Sequence, residues 1–335
     1  MVTQIAYSQK FNRHNNISHP ENAERLNVLI KEIKQSSFLD KIEFVEPILI
    51  DDNNLNSVHS KEMIENIKKL STKNEAWIDF DTYVSNSDYE TARLAAGSVV
   101  LLSENVMNNL ADNAFALVRP PGHHATRNRS MGFCLFNNIA LAANEIAKKG
   151  RRVLIFDLDV HHGNGTQDIF YDRKDVLYQS FHLSPHYPGT GNIDEIGTGE
   201  GKGFTINAPL SHGNGNKAVS KLLDEIFLPV AKQFKPDTIL VSCGYDSHHA
   251  DMLGGLKLSA DFFGNIIADL QKIQPKIVCT LEGGYNLNWI GKCLISQIGQ
   301  MVSQPVSIKD DTYENEQVGS LIESIKNEID GYWNL

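Results

Sequence analysis

Eight short runs rich in β-branched and apolar residues punctuate this sequence, at 5–7, 43–48, 114–118, 153–157, 176–181, 204–208, 238–243 and 277–281. Several are apolar throughout, without the alternation of a strand that has one wet face. Such runs fit strands covered on both sides. Between them lie stretches with helical spacing, at 23–36, 89–109, 137–149, 218–234 and 260–273. Gly150 closes the third of these as a C-terminal stop. Strand and helix in alternation predict an α/β fold: a central, mostly parallel sheet of eight strands with helices on both faces. The 335 residues exceed a typical domain, but a large α/β unit accommodates them, and no linker, repeat or low-complexity block divides the chain. One domain over 1–335 is expected. It would end in a polar surface loop at 305–316 and a helix packing through Val318, Leu321, Ile322, Ile325 and Ile329.

Hydrophobic residues make up 41% and charged residues 21%, normal for a soluble globular protein. The formal net charge of −10 disfavours nonspecific binding to nucleic acid. No stretch is apolar enough to span a membrane, and the opening residues lack a basic-then-apolar signal pattern. Cys134, Cys243, Cys279 and Cys293 form no C-x-x-C pair and lie in apolar surroundings. Buried free thiols in a reducing, cytoplasmic setting are expected.

Chemistry concentrates just after the expected strands, where open parallel sheets bind ligands. Asp157-Leu-Asp-Val-His-His162 sets Asp157, Asp159 and His161 at alternate positions, so an extended run aims them one way. Asp159 and His161 are the first candidates for a divalent-metal site, with Asp246 of Gly244-Tyr-Asp246 as a third ligand from a distant segment. Arg119-Pro-Pro-Gly-His-His124 directs two adjacent histidines from a rigid turn. His123 and His124 are open to three roles: ligands, an acid–base pair, or core polar groups. A histidine titrates near neutrality and can take and return the proton of an activated water. Asp157 and Asn164 are candidates to fix its tautomer from the other ring nitrogen.

Leu281-Glu-Gly-Gly-Tyr285-Asn supplies a phenol that either donates to an oxyanion or merely packs on its ring. Gly132-Phe133-Cys134 and the stretch 182–191 offer apolar walls, with Phe133 and Tyr187 able to form a slot for an alkyl chain. The glycine-rich stretch 197–203 fails the P-loop pattern, because Gly203 follows Lys202 where Ser or Thr is needed. It reads as a surface loop.

Together these segments resemble the zinc-dependent histone deacetylase family, which includes acetylpolyamine amidohydrolases. The resemblance runs from His19-Pro-Glu-Asn-Ala-Glu-Arg25 through Val58-His59-Ser60, Asp79-Phe-Asp-Thr82, the two histidine motifs, Pro188-Gly-Thr-Gly191 and Gly244-Tyr-Asp246 to Leu281-Glu-Gly-Gly-Tyr285-Asn. His162-Gly-Asn-Gly-Thr-Gln167 is most similar to the class II branch. The resemblance implies an arginase-like fold with Zn²⁺, or Fe²⁺, on Asp159, His161 and Asp246. It implies His124 as general base and then acid, His123 as its electrostatic partner with Asp157 behind it, and Tyr285 as the oxyanion donor. Phe133 and Tyr187 would flank an acyl-lysine tunnel, and the Gly132 carbonyl would accept from the scissile amide. Asp81 is open to two readings, a rim residue that holds a substrate backbone or a plain loop residue. A structural K⁺ is implied on Asp157, on the backbone oxygens of Asp159, His161 and Phe181, and on the Ser180 hydroxyl, with a second such site near Phe170 and Val176.

Asn164 stands where many class I members carry Asp, which leaves His124 a neutral partner. Leu253 stands where polyamine-selective relatives carry an acidic gate. The expected substrate is therefore an acetylated protein or peptide, with a small acylated amine as the nearest rival. A two-metal ureohydrolase would need Asp157, or Asp246 with Asp251, to hold a second ion. A non-catalytic acyl-lysine reader would need none of the bases.

Overall fold

The computed structural model describes residues 2–310 and 312–335. Ten strands are present among them: β1 (Thr3–Ala6), β2 (Ile42–Val45), β3 (Glu75–Trp77), β4 (Tyr83–Ser85), β5 (Asn113–Ala116), β6 (Val153–Asp157), β7 (Val176–Leu183), β8 (Thr205–Leu210), β9 (Thr238–Cys243) and β10 (Ile277–Leu281). Eight of them form one sheet in the order β2-β1-β5-β10-β9-β6-β7-β8, with every neighbouring pair parallel. Each of the eight apolar runs supplies one of these strands. The run at 43–48 stops early at Val45, just ahead of Glu46-Pro47, where proline cannot donate to the sheet. Strands β6, β9 and β10 are buried along their whole length, which is why their sequences do not alternate.

The last two strands in the chain, β9 and β10, lie in the middle of the sheet, between β5 and β6. The register sets Asp157 beside Ser180 on one side and Ser242 on the other. The carboxyl ends of β5, β10, β9, β6 and β7 thus lie side by side, and each leads into one of the motif segments.

Helices pack around the sheet. The helix Asp88–Met107 lies against β1, β5 and β10, and the helix Asn138–Ala147 lies against β6 and β9. The latter is capped by Asn137, whose side chain accepts from the Ala140 N–H at 3.0 Å. The expected helix at 218–234 is interrupted by a wider π turn over Leu223–Phe227, just ahead of Pro229, which has no N–H to continue the regular pattern. A helix at Ile290–Met301 was not expected. It packs so closely on the helix Ala260–Ile273 that a Cβ on Gly264 would meet Ser296 Oγ at 2.6 Å.

The C-terminal helix, Gly319–Glu328, buries Ile322 and Ile325, with Val318 and Ile329 buried at its ends. The two expected loops are present, and each has an anchor in the fold. The stretch 197–203 is partly covered by the C-terminal tail, where Trp333 donates to the Gly203 carbonyl at 2.7 Å. The loop at 305–316, of which residue 311 lies outside the described residues, carries a buried anchor. Asp310 accepts from His248 at 2.8 Å, from His249 at 2.7 Å and from the Ala260 N–H at 2.8 Å.

Candidate active site

Asp159 and His161 lie in the bend that follows β6, not in the extended run expected from their alternate spacing. The Asp159 carboxylate lies 3.0 Å from His161 Nδ1, and Asp246, from the turn after β9, lies 3.3 Å from the same nitrogen. Backbone donors orient both acids: the Gly283 N–H donates to Asp159 Oδ2 at 2.9 Å, and the Val160 N–H to Asp246 Oδ1 at 3.1 Å. Asp246 Oδ2, the atom 3.3 Å from His161 Nδ1, is fully buried and makes no well-aligned hydrogen bond. An orphaned carboxylate oxygen in the interior is costly, and it faces the other two ligand candidates. A Cβ on Gly283 would run into that oxygen, so the missing side chain keeps the space clear. Two carboxylates and one imidazole with one acceptor left over suit a divalent cation with open positions.

Burial lowers the His161 imidazole, but Asp159 and Asp246 outweigh it and hold the group up at about 10. Burial and Asp159 push Asp246 up to about 6. These shifts belong to protein groups alone, and a cation bound among them competes with the proton on His161.

The two histidines after β5 are paired with different partners. His123 Nδ1 lies 3.1 Å from Asp157 Oδ2, and His124 Nδ1 lies 2.8 Å from Asn164 Oδ1. Both acceptors are oxygens, so each Nδ1 carries the hydrogen. In His124 this leaves Nε2 as a lone pair. Burial, then His123 and His161, keep His124 well below its ordinary range. His123 behaves oppositely: burial opposes charge, but Asp159 and Asp157 raise it to about 10.

Tyr285 follows β10 on a turn held by Asp251, whose Oδ2 accepts from the N–H groups of Tyr285 at 2.6 Å and Asn286 at 2.9 Å. Burial, then Asp246, push its phenol well above the usual range, so it stays protonated. The ring meets Phe133 edge-on at 5.9 Å. Phe133 holds a left-handed backbone, φ 68°, a strained state for a bulky residue. Gly132 before it has φ 55°, and a Cβ there would strike the His124 ring.

A cavity of about 270 Å³ connects these groups to the surface. Phe133, Tyr187, Gly132, Leu253 and Asp81 line it together with His123, His124, His161 and Tyr285. Its rim carries Phe80, which is 85% exposed. Asp81 is pushed up to about 6 by burial and by Asp79. Of the residues implied for a monovalent cation, Ser180 sits beside Asp157 in register, with its Oγ 3.0 Å from His182 Nδ1. Phe181 follows it in the same buried strand.

A sequence profile described as the histone deacetylase domain matches residues 19–301. The chain belongs to the histone deacetylase family. A probable deacetylase of Archaeoglobus fulgidus is 36% identical over 296 residues, covering 86% of this chain and 82% of that one. Histone deacetylase 10, chloroplastic, of Oryza sativa subsp. japonica is 36% identical over 318 residues, covering 87% and 71%. The crystal structure of the HDA15 HD domain has a TM-score of 0.93 at 31% identity, covering 99% of this chain and 96% of that one.

Several groups around the candidate site have no role assigned from the sequence. Arg25 is fully buried and donates to the carbonyls of Gly284 at 2.6 Å and Glu282 at 2.5 Å, with its guanidinium 5.0 Å from the Tyr285 ring centre. Glu21 joins Arg25 to Arg119. Burial opposes its charge, but Arg119 and His14 hold its carboxyl well below the usual range. His186 lines the cavity, stacks on His161 at 4.9 Å and donates from Nε2 to the Leu253 carbonyl at 3.0 Å. The only advance signal for these groups was the presence of charged or polar residues within long motifs. His248 and His249, beside Asp246 in sequence, turn away onto Asp310. No helix among the described residues is long and apolar enough to cross a membrane.

Proposed function

We propose that this chain is a metal-dependent deacylase that removes acetyl groups from lysine side chains of proteins or peptides. One observation carries the reading: a mostly apolar cavity is lined by a lone-pair histidine, a protonated phenol and His161, which converges with Asp159 and Asp246 behind it. Asp159, His161 and Asp246 would hold Zn²⁺ or Fe²⁺. Such an ion supplies Lewis acidity and can lower the pKa of water from about 15.7 to about 7.

The protein groups then divide the work. The lysine stem lies between Phe133 and Tyr187, and the Gly132 carbonyl accepts from the scissile N–H. His124 takes the proton of the attacking water on Nε2, with Asn164 holding its tautomer. His123, kept positive beside Asp157, stabilises negative charge. Tyr285 donates to the oxyanion of the tetrahedral intermediate. The amine leaves after protonation from the histidine pair. Asp157, Ser180 and the carbonyls of Asp159, His161 and Phe181 present hard oxygens suited to K⁺.

The uses of Asp251 and Asp157 favour one divalent ion over two. Asp251 already accepts from the N–H groups of Tyr285, Asn286 and Leu253, and Asp157 faces His123 and the monovalent-cation oxygens rather than Asp246. Leu253 places no carboxylate at the gate to prefer a polyamine. The four buried free thiols fit a reducing compartment. The test is zinc-reconstituted turnover of an acetyl-lysine peptide against acetylputrescine, with Asp246→Asn as control. Peptide turnover lost in the variant is expected. Turnover confined to acetylputrescine would move the function to small acylated amines.

A further inference from the structure

Glu282 lies between β10 and Tyr285, and none of it is exposed. A carboxyl in the interior needs partners, and this one has specific ones. Its Oε2 accepts from the N–H of Gly122 at 2.6 Å and from the N–H of His123 at 3.1 Å. Its Oε1 lies 3.5 Å from Ser242 Oγ. The main chain of Glu282 is itself fastened: its N–H donates to the Cys243 carbonyl at 2.9 Å, and its carbonyl accepts from Arg25. Glu282 is thus anchored in the sheet and reaches across to the turn that follows the neighbouring strand. Gly122 is tightly seated there, since a Cβ on it would lie 2.5 Å from the Asn138 nitrogen.

His123, Cys134 and Glu282 bring possible ligand atoms within 4.8 Å of one another, yet the chemistry is wrong for a cation. Oε2 already accepts two N–H groups. Burial pushes the Cys134 thiol well above its usual range, and that thiol donates to the Gly132 carbonyl at 3.3 Å.

We propose that Glu282 is a positioning residue for the deacetylase reaction: one side-chain oxygen fixes the Gly122–His123 main chain and thereby aims His123 and His124. This rests on the histidine roles given above. An oxygen acceptor is what the turn requires, and charge is secondary. Burial pushes the carboxyl up to about 7, and a proton on Oε1 leaves Oε2 free to accept both bonds. Without that oxygen, two buried N–H groups lose their acceptor and the turn relaxes. A shift of about 1 Å in a reacting group costs on the order of 10² in rate. The cavity walls Phe133, Tyr187 and Leu253 come from other segments, so KM should not follow.

The experiment compares Glu282→Gln and Glu282→Leu in the full, zinc-loaded chain, reading kcat, KM, zinc stoichiometry and melting. Gln keeps the oxygen and should retain kcat within about threefold, whereas Leu should lose about 10²-fold with KM and zinc little changed. If Leu fails to fold, Glu282→Asp replaces it. Its shorter arm cannot keep both bonds, and a kcat loss of about tenfold is expected. Leu or Asp with near wild-type kcat would overturn the proposal, and so would Gln failing as badly as Leu. If the wild type turns over neither substrate, the reaction reading fails separately. Hydrogen exchange at Gly122 and His123, protected with Gln and released with Leu, then still decides whether Glu282 anchors the turn.

Discussion

Replacing Asn164 with Asp puts a carboxylate where an amide oxygen now takes the His124 Nδ1 hydrogen, at 2.8 Å. Burial and the neighbouring histidines keep His124 neutral, which is what a base requires. A carboxylate at that contact favours the imidazolium instead. With charge centres about 4 Å apart and an effective dielectric of about 20, the attraction is about 4 kcal/mol, or about three pKa units. Asn164 also lines a second cavity, with Thr126, Gln167, Asp168 and Tyr171, and solvent there weakens the attraction. A rise of about one to three units is therefore expected. Because the imidazolium cannot accept a proton, the acid limb of kcat/KM should move up by that amount. The tautomer is preserved, since an oxygen still accepts from Nδ1. The assay is the pH profile of kcat/KM at saturating zinc for the wild type and Asn164→Asp. An acid limb that stays in place, or moves down, refutes His124 as the base.

Tyr285→Phe keeps the ring contacts with Phe133 and Arg25, so zinc content and melting should hold while kcat falls about 10²–10³-fold. Turnover within a few-fold of wild type contradicts the oxyanion role. Glu21→Gln leaves Arg25 and Arg119 without their buried counter-charge and should cost about 3–5 kcal/mol in urea denaturation. The Glu21 carboxyl is depressed in the fold, so its contribution is full above its unfolded pKa. It is lost as pH falls through the lower folded value. The wild-type advantage over Glu21→Gln should therefore hold at neutral pH and shrink only in strong acid. Leu253→Glu should raise the preference for acetylputrescine over acetyl-lysine peptide by about tenfold, equivalent to about 1.4 kcal/mol. An unchanged ratio of kcat/KM values refutes a gating role for Leu253.

The sheet was legible because its strands are buried on both faces and advertise themselves as unbroken apolar runs. The hairpin β3–β4 was not, because strands of this length carry too little pattern. The helix Ile290–Met301 was hidden by glycines and a cysteine that serve its close packing and weaken its helical pattern. The ligand candidates were readable because each sits within a few residues of a strand end. The groups that hold them were harder to read. Arg25 meets Gly284 and Glu282 across almost the whole chain, and nothing local in a sequence marks such a partnership. Asp310 looked like part of a polar surface loop until its three donors were seen.

The position of β9 and β10 has a consequence for synthesis. A nascent chain that has emerged through β8 holds both histidines of the pair, Asp159 and His161, but neither Asp246 nor Tyr285. Its strands β5 and β6 then lack the partners that separate them in the finished sheet. Parallel edges in that condition are prone to wrong pairings. At ordinary translation speeds the interval lasts on the order of ten seconds. The centre of the sheet is thus the last part to be made, and the candidate site is complete only when the gap between its two halves is filled.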